Sequence, residues 1–203
     1  MVKKLADKIS LYYVRKNIIS VGELEVYSYG FVLLLSAILN LTLVISIAII
    51  FDMLIQAVVF VLSFILLRTF GGGYHAKTHM GCVWAFFIVF VFLSFALSLL
   101  SAYATPIFVL IIAQVSFVFI WVFAPVEAKN KPLSAAKQKR MKKVCRTIAL
   151  IFFTFAIWNF FNPFPFEHII VFVFSGKLAG SISIAFAALM NKLSAWKLAK
   201  ENN

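Results

Sequence analysis

Long apolar runs broken only by short polar stops constrain this chain more than any other feature of its sequence. They are Phe31–Ile50, Met53–Leu67, Gly81 to about Ser101, Thr105–Phe123, Thr147–Phe161 and His168 to about Met190. A hydrocarbon core about 30 Å thick takes a helix of about 20 apolar residues, and only helices or closed barrels satisfy every backbone polar group there. With 64% hydrophobic residues, 24 Phe and 13% charged residues, the chain has too little polar surface to dissolve in water. Its mean hydropathy is +1.02. The expected fold class is all-α: a polytopic integral membrane protein of about six transmembrane helices. One membrane domain over 1–203 is expected, with an amphipathic interfacial helix at 1–20, a six-span bundle at 21–190 and a basic tail at 191–203.

The formal charge of +12 does not imply nucleic acid, because the cations sit between apolar runs and the interleaved aromatics are lipid-facing Phe. Segments 1–20, 68–80, 124–146 and 191–203 hold every Lys and Arg except Lys177, while the turns near Asp52, Ser101 and Pro163 hold none. The positive-inside rule then places the first set, and both termini, on the cytoplasmic side. Basic residues there also meet anionic headgroups of the lipid bilayer. Lys177, about nine residues into the sixth run, is expected to face the bundle or a cavity, or to mark a break at Ser175-Gly176. Two cysteines without a close partner make no disulfide framework. The charged stretch Lys3–Ser20 lacks the apolar segment of a cleavable signal peptide.

Leu5, Ile9, Tyr12 and Tyr13 fall on one helical face among Lys3, Lys4, Lys8, Arg15 and Lys16. That pattern fits a basic helix lying in the membrane interface or one packed on the bundle. Ser20 and Glu23 have the spacing of a capping box, so a helix is expected to start there and run into the first span.

One polar insert stands apart: Arg68-Thr-Phe-Gly-Gly-Gly-Tyr74-His75-Ala-Lys-Thr-His79-Met-Gly-Cys82. A thiol and an imidazole at a membrane surface, beside three glycines, are the parts of a cysteine nucleophile site. His75 and Cys82 are seven residues apart. On an unbroken helix that is about 10.5 Å, so contact between them requires the backbone to fold back. Cys82 is expected in the first turn of the third span, where the helix N-terminus favours a thiolate and unbonded N–H groups can hold an oxyanion. Metal binding by His75, His79 and Cys82 is the competing reading, but no adjacent Glu supplies a base and a fourth ligand is missing. No metal or other cofactor is expected. The triple glycine lacks the Lys-Ser/Thr of a phosphate loop. Cys145 reads as a small buried hydrophobe.

At Arg68, Gly73-Tyr74-His75 and Cys82 the sequence resembles the accessory gene regulator B family of Gram-positive bacteria. Glu25-Val-Tyr-Ser-Tyr29-Gly30 and Ala124-Pro125 followed by Lys129, Lys131-Pro132 and a basic run are similar to it as well. The resemblance implies a membrane cysteine endopeptidase that processes the precursor of a quorum-sensing peptide. It implies Cys82 as nucleophile, His75 as general base, an acyl-thioester intermediate and a cyclic thiolactone or lactone product. The implied partners are the precursor peptide and, through dimerisation, a second copy of the chain. Arg68 would pair with a precursor carboxylate or orient the loop, or else anchor the end of the second span at the interface. Gly73 would give backbone freedom beside His75. Glu25 is the candidate to orient His75, with helix-start charge as its alternative. Lys129, Lys131 and the cations up to Arg146 would dock an acidic precursor tail, or simply bind headgroups. Two readings of other classes compete with the peptidase: a small peptide transporter gated by the insert, and a non-catalytic membrane partner of a signalling complex.

Overall fold

Ser20 begins the first long helix as its spacing with Glu23 predicts, its backbone N–H donating to the Glu23 carboxylate at 2.9 Å. The structure, a computed structural model, describes residues 2–73, 78–99, 106–127 and 134–201. Among these residues are seven α-helices and no strand: α1 (Val2–Arg15), α2 (Leu24–Ile50), α3 (Leu54–Gly71), α4 (His79–Leu99), α5 (Pro106–Phe123), α6 (Ala135–Phe161) and α7 (Glu167–Glu201). A short 3-10 turn, Val21–Glu23, leads into α2. Six helices, α2 to α7, are long and apolar enough to cross a membrane. The chain is a multi-pass membrane protein.

Three helices run further than the apolar pattern alone suggests. The stretch from Ala135 to Arg146 is helical although it is the most charged part of the chain. Its Ala, Lys, Gln, Arg and Met residues are strong helix formers, and Ser134 caps it by accepting from the Lys137 N–H at 3.4 Å. α7 continues through the basic tail to Glu201 for the same reason, since nothing from Asn191 onward breaks a helix. α3 passes Arg68 and stops only at Gly72, whose φ of 72° is left-handed. At its other boundary, Asp52 closes the segment after α2 with a φ of 52°.

The chain divides into two compact units, Met1–Asp52 with Ala76–Val91 and Met53–His75 with Phe92–Asn203. In the first, α1 packs along α2. Ala6 and Ser10 are buried in that seam, the Ser28 hydroxyl donates to Asp7, and the rings of Tyr13 and Phe31 lie 5.6 Å apart. Leu5, Leu11 and Tyr12 remain exposed on the other side of α1, with Lys3, Lys4 and Lys8. The helix thus packs along α2 on one side and presents apolar and basic residues on the other.

In the second unit α7 packs against α3 and α5, and α6 against α5 and α3. α7 is the enclosed element: 67% of its apolar window is buried, against 11% for α2 in the first unit. Small residues make this possible. A Cβ built on Gly176 would collide with the Phe60 carbonyl group of α3, so the two backbones touch there. One turn on, a Cβ at Gly180 would meet the Leu67 side chain at 3.1 Å, and another turn on Ile184 packs against Gly71. Residue numbers rise together along the seam, so α3 and α7 run parallel. In lipid, where apolar burial hardly drives helix association, close backbone approach supplies the attraction.

Glycine-to-alanine changes should therefore rank by what the new methyl meets. Gly176→Ala should lower the thermal unfolding midpoint in detergent by the equivalent of about 1–3 kcal/mol of overpacking. Gly180→Ala should cost less, because a leucine terminus can move. Gly30→Ala, with nothing within 4 Å, should be neutral or stabilising. Equal midpoints for the Gly176 and Gly30 variants would contradict this seam.

Candidate functional site

The polar insert begins where α3 ends, and the glycines there are held by contacts from three directions. Gly72 and Gly73 have φ of 72° and 133°, conformations open to glycine and strained for other residues. The last carbonyl of α3, on Gly71, accepts from the Val126 N–H at 3.0 Å, which pairs an otherwise orphaned helix-end group. The Val126 carbonyl lies against Gly72 so closely that a side chain there has no room. The Arg68 guanidinium reaches one turn forward, donating to the Gly72 carbonyl at 3.3 Å and to the Ser183 hydroxyl of α7 at 3.2 Å. It also covers Gly73: a Cβ there would run into Nη1 of Arg68 and come within 2.9 Å of Ser183 Oγ. Gly73 is thus a steric requirement as well as a conformational one.

Beneath the glycines lies a buried cluster of Leu67, Ile120, Ala124, Cys145, Ala149 and Ile184. Cys145 is fully buried in it, a small apolar filler as its sequence context suggests. The segment carrying Val126 is fastened a second time, where the Asn191 side-chain amide donates to the Glu127 carbonyl at 3.1 Å.

Cys82 belongs to the first unit and is partly exposed in the opening turn of α4. Thr78 caps that turn. Its hydroxyl accepts from the Gly81 N–H at 3.0 Å and its carbonyl from the Cys82 N–H at 3.2 Å. Two of the N–H groups expected for an oxyanion are therefore already engaged, one by the Thr78 side chain and one by the first i−4 carbonyl of the helix.

His75, Lys129 and Lys131 lie outside the described residues, as does the side chain of His79, and with them the proposed metal set. Glu25 is exposed in the first turn of α2, where an acidic residue suits the helix start. Of the basic run, Lys139, Arg140, Lys142, Lys143 and Arg146 are grouped on α6, beside Thr147 and Leu150. The Arg146 guanidinium stacks on Trp121 at 4.4 Å.

Lys177 faces the interior of an unbroken helix. It is 1% exposed, its Nζ lies 5.0 Å from the Phe152 ring and 5.8 Å from the Phe174 ring, and no described group hydrogen-bonds to it. Aromatic faces attract a desolvated cation by about 2 kcal/mol, whereas burying an ammonium costs several kcal/mol. The desolvation cost is the larger of the two.

A family model described as Accessory gene regulator B matches residues 2–190. An AgrB-like protein of Clostridium perfringens strain SM101 is 29% identical over 136 residues, 63% of this chain and 63% of that protein. AgrB-like protein 2 of Clostridium perfringens strain 13 is 30% identical over 135 residues, with the same coverage of 63% of each. The chain thus spans less than two thirds of the length of these two relatives. Accessory gene regulator protein B of Staphylococcus carnosus is 24% identical over 156 residues, 77% of this chain and 78% of that protein. No solved structure matches the chain.

The energetics at Lys177 generate a test of the second unit. Lys177→Met, which keeps the volume and removes the charge, should leave the thermal midpoint in detergent unchanged or raise it. Lys177→Glu should abolish the folded state, since a carboxylate would face the negative ring faces of Phe152 and Phe174. A large loss of stability in the Met variant would mean that the ammonium has a strong partner.

Proposed function

We propose that this chain, which belongs to the accessory gene regulator B family, is a membrane-embedded cysteine endopeptidase that processes a quorum-sensing precursor peptide. The observation that carries the reading is the contrast between its two thiols. Cys145 is sealed in a hydrophobic cluster, whereas Cys82 is partly exposed at a capped helix N-terminus seven residues after His75. A nucleophile needs access, and of the two thiols only Cys82 has it.

In this reading His75 takes the Cys82 proton as the sulfur attacks a backbone carbonyl carbon of the precursor. The C–N bond then breaks, the leaving amine receives the proton from His75, and an acyl-thioester stays on Cys82. A Cys thiol or Ser hydroxyl within the retained part of the precursor attacks the thioester carbonyl, closing a thiolactone or lactone and returning the Cys82 thiol. An intramolecular nucleophile has a high effective concentration, so cyclisation outruns hydrolysis when the site excludes water. Arg68 and Gly73 support the His75 segment, and Glu25 supplies charge at the start of α2. Lys129, Lys131 and the basic face of α6 meet acidic residues of the precursor tail. The distribution of cations puts the site and both termini on the cytoplasmic side.

The test is intact mass on purified protein in lipid vesicles, given a candidate precursor peptide encoded beside it. Wild type should gain an adduct equal to the N-terminal part of the precursor. Cys82→Ala should lower the cleavage rate about 10⁴-fold or more, and His75→Ala about 10²–10⁴-fold. Intact precursor with all three proteins would remove the peptidase reading. Cleavage by all three would move the chemistry to other residues.

A further inference from the structure

Most hydroxyls within the spans bond to their own helix. Thr42 donates to the Ile38 carbonyl, Ser63 to Val59, Thr69 to Ile65, Ser116 to Ile112 and Ser175 to Val171, all at 2.7 to 2.9 Å. Such back-bonding is how a hydroxyl is satisfied in an apolar medium, and it says nothing about function. Ser183 differs, because its Oγ accepts from a guanidinium 115 residues away in sequence.

The site explains what that contact does. A glycine tripeptide has no side chains to anchor it, and the left-handed conformations of Gly72 and Gly73 are two among many open to them. One geometry must be chosen by neighbours. Val126 fixes Gly71 and Arg68 fixes Gly72, but Arg68 is a long flexible side chain that loses rotamer freedom when it is held. Ser183 restrains it from α7, the most enclosed helix of its unit, in register with the contacts at Gly176, Gly180 and Ile184. His75 follows Gly73 by two residues.

The geometry points to Ser183 as a positioning residue for His75: it holds the Arg68 guanidinium over Gly72 and Gly73 and so sets where the segment carrying the base leaves the bundle. This rests on the peptidase reading above. Among the described residues Ser183 meets Arg68 and the edge of Gly73, so its proposed action runs through the guanidinium and the glycines. Because a base displaced by about 1 Å can cost about 10²-fold in rate while substrate contacts elsewhere are kept, the effect should fall on kcat and not on KM.

The experiment compares wild type, Ser183→Ala and Ser183→Thr in lipid vesicles with the precursor, together with hydrogen–deuterium exchange over residues 69–73. Ser183→Ala should lower kcat by about 10–100-fold with KM within about twofold, and should raise exchange at Gly72 and Gly73 while the rest of α3 and α7 stays protected. Ser183→Thr keeps the acceptor and should recover kcat to within a few-fold of wild type. Unchanged exchange at the glycines, unchanged kcat, a change in KM alone, or general loss of protection across α7 would each overturn the proposal, and so would failure of the Thr variant to recover kcat while its protection is intact. A wild type that forms no Cys82-dependent adduct would instead overturn the peptidase reading, and the assignment of Ser183 to His75 would fall with it.

Discussion

The close contact between α3 and α7 is the constraint on which the rest of the second unit depends. Gly176 lets the Phe60 carbonyl approach the α7 backbone, and Gly180 four residues later lets Leu67 do so less tightly. Once those points are in contact, two parallel helices have one register left. It delivers Gly71 to Ile184, and it delivers Gly73 and Arg68 to Ser183. The polar end of α3 is thus placed by apolar contacts up to three turns away. The same seam draws Lys177, the residue after Gly176, into the interior and between two phenylalanine rings.

In a medium without water each buried polar group must be satisfied locally or matched across helices. Back-bonded hydroxyls are the local solution and the commoner one here. The cross-helix solutions concentrate at one end of the second unit: Arg68 with Ser183, Val126 with Gly71, and Asn191 with Glu127. These three links join the end of α3, the segment after α5 and the later turns of α7. They surround the residues that lead into His75. A membrane bundle held mainly by shape can tolerate a polar end of this kind because its core has already fixed the helix positions.

Much of this was legible in the sequence, for physical reasons particular to each element. The six spans follow from hydrophobic run length, and the Ser20–Glu23 pair is a local signal acting over three residues. Cys145 could be read as a filler because a lone cysteine in an apolar chain is usually a small buried hydrophobe. The basic stretch before Thr147 was harder, since dense like charge resembles a loop although its individual residues favour helix. The packing role of Gly176 and Gly180 was not legible, because only the structure shows that they face α3 of the same chain. Ser183 left no local mark at all: its partner is distant in sequence, and in α7 it looks like any other span serine.

The glycine segment poses an opposition that the fold resolves. In the proposed reading the base, His75, follows three consecutive glycines, and glycine is the residue that turns at least steric cost. Yet freedom to bend is also freedom to wander, and general-base catalysis demands a defined position. The segment therefore contributes reach, and precision comes from elsewhere. Here it comes from Arg68 and Val126 at close quarters, and behind Arg68 from a serine on the helix least able to move. Loosening any of these contacts leaves the glycines free to adopt other conformations, while the bundle itself, held by the α3–α7 seam, has no reason to unfold.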